Sequence, residues 1–205
     1  IGELRGGDKN VVYYGEEGNK IRLSEVIITG NTVIPTKEIK DNIKNQEHWF
    51  FSFLGNSGTL RSEDLKEDVE FIRNLYYNRG YIQVQINDPI VEERPLTVHT
   101  YEFMGQTETY TTSDEVAIRI HIQEGAQFKI GSVTLKGNTT ITDNELLKEI
   151  KLKQGDVFSR EVLRQDVARI MDRYDSIARP FSNVVPLFNI DHEKRTVALS
   201  FEIQE

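Results

Sequence analysis

Few residues here could do chemistry, and they are scattered. The histidines His48, His99, His121 and His192 show no H-x-x-x-H spacing and no neighbouring ligand set of the kind zinc needs. There is no cysteine, which removes thiolate metal sites, disulfides and a thiol nucleophile together. No G-x-S-x-G elbow and no glycine-rich phosphate loop occurs. Asn138-Thr139-Thr140 fits the glycosylation acceptor pattern, but it follows a glycine, where a turn is the plainer reading. The expectation is no enzyme, no metal, no cofactor and no small-molecule substrate.

What remains is backbone chemistry at a sheet edge. An edge strand presents unpaired N–H and C=O groups on which an extended polypeptide can add a strand. The candidate is Tyr81-Ile82-Gln83-Val84-Gln85-Ile86-Asn87, where Ile82, Val84 and Ile86 alternate with Gln83, Gln85 and Asn87. Its alternative is a protected edge with no ligand. The corresponding strand Phe181–Asn189 contains Pro186, which removes one donor. Trp49, Phe50, Phe51 and Phe53 form the most apolar stretch, read either as an exposed docking patch or as an extension of a small core. Glu63, Asp64, Glu67, Asp68 and Glu70 read as a solvated helix face, and Tyr76 and Tyr174 as packing residues.

Such strands need a sheet, and an internal repeat supplies it. Residues 21–32 align with residues 128–139, Gly30-Asn31-Thr32 falling on Gly137-Asn138-Thr139, a shift of 107 residues. Glu17-Gly18 precedes one copy and Glu124-Gly125 the other, and Glu205 stands where a third pair would begin. Each copy opens with an alternating strand, Leu23–Thr29 or Ile130–Lys136, then a Gly-Asn turn that tolerates positive φ.

A short helix comes next. Pro35 marks its start in copy one; Thr142 and Glu145 form a T-x-x-E capping box in copy two, with Leu146, Leu147 and Ile150 as the apolar face. The longer second helix carries Leu65, Val69, Ile72 and Tyr76, or Leu163, Val167, Ile170 and Tyr174, at helical spacing. Asn78-Arg79-Gly80-Tyr81 reads as its glycine cap in copy one. Two strands close each unit: Tyr81–Asn87 with Val116–Gln123, and Phe181–Asn189 with Thr196–Ile203.

The predicted fold is α+β, two tandem β-α-α-β-β two-layer modules. Each is a three-stranded mixed sheet covered on one face by two antiparallel helices. The modules are residues 21–124 and 125–205, with 1–20 as the end of a preceding copy or a tail. Glu124 and Gly125 form a hinge with little linker. Copy one, with its helix-connecting insertion and the long loop Leu96–Asp114, is read as the contact unit and copy two as a spacer.

Bulk properties agree with a protein-binding role. The net charge is −8 and the pI about 5.2, against a phosphate-gripping domain, so nucleic acid is not an expected partner. No apolar run reaches membrane-helix length and no signal peptide is visible; the chain reads as a piece of something longer.

A strand ending in Gly-Asn, two helices ending at Asn-Arg-Gly-Tyr, and a last strand running into Glu-Gly resemble the polypeptide-transport-associated (POTRA) domain over residues 21–205. Copy one, with His48-Trp49-Phe50-Phe51-Ser52-Phe53 between its helices and Leu75–Tyr81 at the end of the second, resembles the third domain of members that assemble outer-membrane β-barrels; copy two resembles the fourth. Copy two departs from the pattern at Ser176–Phe181. The resemblance implies a periplasmic location and a C-terminal membrane β-barrel in the same parent chain. It also implies unfolded outer-membrane proteins as clients and accessory lipoproteins of the assembly complex as partners. Alternatives are a two-partner secretion or autotransporter-assembly transporter, an α+β enzyme whose site is not visible, and an RNA-binding α+β module.

Overall fold

Apolar alternation builds the centre of each sheet first. In the computed structural model, which describes residues 22–45, 62–94, 97–103, 106–112, 115–179 and 182–205, the chain runs β1 (Arg22–Thr29), α1 (Thr36–Lys40), α2 (Ser62–Tyr77), β2 (Gln85–Ile86), β3 (Ile90–Glu93), β4 (Thr97–Phe103), β5 (Gln106–Thr112) and β6 (Glu115–Gln123). Then follow β7 (Lys129–Lys136), α3 (Asp143–Glu149), α4 (Arg160–Asp175), β8 (Asn183–Asp191) and β9 (Thr196–Gln204). Two compact units share these elements, and the second takes in residues 30–35, 70–86 and 122–205.

Both repeats are mixed sheets with the last strand in the middle. β6 runs parallel to β1 and antiparallel to β2 and β3; β9 runs parallel to β7 and antiparallel to β8. The first strand of each copy slips register at equivalent places, between Leu23 and Glu25 and between Ile130 and Ser132. Along β9, Val197, Leu199, Phe201 and Ile203 are buried and alternate with half-exposed residues. They join Leu146 of α3, Ile150 just after it, and Leu163, Ile170 and Tyr174 of α4 in one core. Each such aliphatic or phenyl side chain contributes roughly 1.5–3 kcal/mol by leaving water. The matching positions of the first copy, among them Leu23, Ile39, Ile72, Tyr76, Ile118 and Ile120, are buried too.

The helix ends follow their sequence signals. The N–H and hydroxyl of Thr142 donate to the Glu145 carboxylate at 3.2 and 2.9 Å. After α2, the Tyr81 N–H reaches the Tyr76 carbonyl and the Gly80 N–H the Tyr77 carbonyl, with Gly80 at φ +82°. After α4 the same pair of bonds runs from Arg179 to Tyr174 and from Ala178 to Asp175, with Ala178 at φ 59°. Ala178 therefore fills the place of Gly80.

Three expectations change. Tyr81–Asn87 is not a strand throughout: Tyr81–Val84 form a turn closed by the Val84 N–H on the Tyr81 carbonyl, and Gln85 and Ile86 pair with β6, followed by the Asn87 N–H on the His121 carbonyl. The edge resumes at β3 after Asn87-Asp88-Pro89, since proline has no N–H to give a ladder. The segment read as a long loop, Leu96–Asp114, contains the antiparallel hairpin of β4 and β5. Finally, Asp68 is no solvated face residue, being only 2% exposed. Trp49, Phe50, Phe51 and Phe53, and residues 1–20, lie outside the described residues.

Candidate functional site: sheet edges and module ends

Backbone pairing leaves different edges in the two copies. Within Tyr81–Asn87, Val84 is buried, Tyr81, Ile82 and Ile86 are half-buried, and Gln83, Gln85 and Asn87 are exposed. Only two of these residues present ladder geometry. β8 keeps nine residues in unbroken register with β9, from Asn183 opposite Gln204 to Asp191 opposite Thr196, and it ends the order β7-β9-β8. Val185 and Leu187 face one side of it and Phe188 the other, at 38%, 43% and 58% exposure. Pro186, Phe188, Ile190 and Val197 are among the residues lining an open groove beside Phe158, Leu163 and Val167. Pro186 costs this strand one donor, which is why the sequence ranks it below Tyr81–Asn87 as a binding edge, yet within a sheet proline is confined to edge strands.

The module ends hold the densest polar chemistry. Of the two residues expected to form the hinge, Gly125 takes φ +73° and Glu124 is hydrogen-bonded within its own module. Its Oε1 accepts the N–H groups of Thr32 and Val33 at 2.7 and 2.8 Å and the Tyr76 hydroxyl at 2.8 Å, and its Oε2 accepts the Thr32 hydroxyl. Glu205 repeats the pattern in copy two. Its Oε1 accepts the N–H groups of Thr139 and Thr140 and the Tyr174 hydroxyl, each at 2.8 Å, and its Oε2 accepts both threonine hydroxyls at 2.5 and 2.6 Å. The Glu-Gly boundary signal was visible in the sequence, but not the partners, which lie on two other elements, the first turn and the second helix.

Glycine and asparagine bring the turn to the carboxylate. Gly137 has φ +83°, and a Cβ there would stand 2.2 Å from the Ile203 carbonyl oxygen, so a side chain is excluded. Asn138 then holds the turn by donating to the Ile141 carbonyl at 3.0 Å, as Asn31 does to Ile34 at 2.9 Å. The potential glycosylation acceptor is thus a turn-forming residue.

The electrostatics follow from these donors. Partial burial pushes the Glu124 carboxyl up, but the Thr32 hydroxyl, the Val33 and Thr32 N–H groups and the Tyr76 hydroxyl outweigh it and leave it below the ordinary value. At Glu205 the threonine hydroxyls and the Thr140 N–H pull the carboxyl well below the usual carboxylate range. Burial and the carboxylate acceptor push the Tyr76 and Tyr174 phenols far up.

A second repeated carboxylate is buried. Asp68 accepts the N–H groups of Lys44 and Asn45 at 2.6 and 3.1 Å, and Asp166 those of Lys151 and Leu152 at 2.7 and 3.0 Å. Both close the chain after the first helix onto the second. Among the described residues no group of histidine, aspartate and glutamate has the arrangement to hold a metal. His121 lies against the Thr29 hydroxyl at 3.0 Å instead.

The sequence profile of the POTRA family, described as surface antigen variable number repeat, matches residues 21–125 and 128–205. The outer membrane protein assembly factor BamA of Nitratidesulfovibrio vulgaris is 25% identical over 194 residues, 93% of this chain and 22% of its own. The protein of the same name from Neisseria meningitidis serogroup B is 24% identical over 192 residues, 92% of this chain and 22% of its own. The chain thus spans about a fifth of the length of these relatives. Among solved structures, Haemophilus influenzae BamA POTRA3-5 matches with a TM-score of 0.65 at 18% identity, covering 93% of this chain and 68% of that one. BamA from Haemophilus ducreyi lacking POTRA domains 1-3 gives 0.61 at 16% identity, over 90% of this chain and 29% of that one. Those structures share its fold. With the family profile matching twice in tandem on two β-α-α-β-β repeats, the chain belongs to the POTRA family.

Proposed function

We propose that this chain is part of the periplasmic region of an outer-membrane β-barrel assembly factor and holds unfolded outer-membrane proteins by strand addition. The likeness to assembly factors over nearly all of its length supports the setting. The observation that carries the binding is the β8 edge, nine residues long, paired among the described residues with β9 alone and flanked by Val185, Leu187 and Phe188. Backbone bonds ignore client side chains, which suits a receptor for many sequences. Four to six net bonds at ~0.5–1.5 kcal/mol each, against an ordering cost of ~2–5 kcal/mol, give roughly millimolar to micromolar affinity. A client so held is easily passed on.

Copy two, read from sequence as a spacer, becomes the main contact unit in this proposal. Tyr81–Asn87 is a secondary edge limited to Gln85 and Ile86. Trp49, Phe50, Phe51 and Phe53 are the candidate docking patch for accessory lipoproteins or for a barrel in the parent chain.

The test is an amide-shift titration by NMR with an unfolded peptide copying one alternating strand of an outer-membrane barrel. Shifts are expected along residues 183–191, and Leu187→Asp should weaken them. Shifts confined to residues 81–87, or none at millimolar peptide, overturn the β8 assignment.

A further inference from the structure

The glutamate that ends each module has not been used by the function above, yet its surroundings are built twice from the same parts. Two successive backbone N–H groups, one or two threonine hydroxyls and one phenol converge on a single two-oxygen anion. Every group that meets these carboxylates donates, and successive N–H groups in a turn form an anion-binding concavity. Charge-assisted bonds of this kind are about twice as strong as neutral ones. The donors come from the first turn and the second helix, while the anion comes from the last strand. The cradle is therefore assembled by the rest of the module and not by the strand that fills it. Gly30 and Gly137 at φ +82° and +83°, with Asn31 and Asn138 bonded three residues ahead, hold the turn in the donating shape independently of the carboxylate.

We propose that the Thr32-Val33-Tyr76 and Thr139-Thr140-Tyr174 cradles are carboxylate-binding sites that the module's own last glutamate occupies in cis. Filling the site fastens the strand end to the turn and helix and so fixes where each module stops. Emptying it leaves a site that takes a free carboxylate. Among the described residues, Arg79 and Tyr81 act on the Tyr76 phenol and Arg179 on that of Tyr174, the Tyr81 ring lying edge-on to Tyr76 at 6.0 Å. The arginines add positive potential and so favour an anion there. The proposal does not depend on the client-binding reading.

The experiment titrates acetate into the 205-residue chain carrying Glu205→Ala, and separately Glu124→Ala, with chloride at equal ionic strength as the reference. Amide shifts of Thr139 and Thr140, or of Thr32 and Val33, should saturate with acetate in the variant and stay still in the unsubstituted chain. Adding Tyr174→Phe should weaken the acetate affinity by roughly three- to tenfold, one hydrogen bond's worth. A natively folded variant whose turn amides ignore acetate overturns the proposal, as do identical shifts in the unsubstituted chain. If a variant does not fold, acetate must restore its circular dichroism beyond what chloride does. Equal effects of the two salts then overturn the proposal as well.

Discussion

The two repeats share their interior and differ at their edges. In the first, the strand beside β6 is broken into β2 and β3 by Asn87-Asp88-Pro89, and a hairpin of β4 and β5 intervenes before the central strand. In the second, β8 runs nine residues without a break and carries Val185, Leu187 and Phe188 into solvent. A broken edge is one way to blunt strand addition, and a long apolar one invites it. The interior devices, meanwhile, coincide: the buried aspartates, the tyrosine-to-glutamate bonds and the Gly-Asn turns. The difference teaches that a repeat can keep its closure machinery fixed while its outer strand varies.

Removing the buried aspartates tests whether the interiors match. Asp68→Ala and Asp166→Ala each strand two backbone N–H groups, at roughly 1–3 kcal/mol per group left unpaired. A loss of about 3 kcal/mol is expected for each by urea denaturation. Each aspartate has one further side-chain partner, the Asn45 amide on Asp68 at 2.8 Å and Arg169 on Asp166, so the two losses should be similar. A loss in one copy only would break the equivalence.

Swapping the helix caps probes a place where the copies diverge in residue but share the backbone bonds. Gly80→Ala should cost more than about 1 kcal/mol, because the left-handed region opposes a Cβ and that Cβ would stand 2.7 Å from the Phe128 carbonyl oxygen. Ala178→Gly should gain roughly 0.5–1 kcal/mol, relief of the left-handed strain less the extra freedom of glycine in the unfolded chain. Thermal unfolding of the two variants would show opposite signs. Equal signs would mean the caps are not equivalent.

Tyr76→Phe and Tyr174→Phe keep the buried rings and delete one bond to a carboxylate each, for about 1 kcal/mol. The two losses should agree, since both phenols meet Oε1 at 2.8 Å.

The smallest effect at neutral pH is that of protonation. Glu124 and Glu205 both have folded values below the unfolded one. Their stabilisation is therefore full above the unfolded carboxylate value of about 4.3 and fades as pH falls through the folded one. Stability followed from pH 6 downward should decline less steeply in Glu205→Gln than in the unsubstituted chain. Parallel curves would detach the second cradle from its charge.

The sequence alone determined the repeat, the class of fold, and most helix and strand cores. Those signals are local: Leu163, Val167, Ile170 and Tyr174 fall on one helix face by spacing, and Val197, Leu199, Phe201 and Ile203 on one strand face by alternation. The Gly-Asn turns and the Thr142–Glu145 pair were legible for the same reason. Tertiary structure decided what depends on partners distant in sequence. It made Asp68 a buried acceptor where its neighbours suggested a wet face. It cut the strand in Tyr81–Asn87 to Gln85 and Ile86, because the turn after α2 uses Tyr81–Val84. It kept β8 in unbroken register with β9 through Pro186, and it let Ala178 take a glycine's conformation. Above all it gave Glu124 and Glu205, at the end of the last strand, donors from the first turn and the second helix at once, and no pattern along one strand can encode a meeting of three.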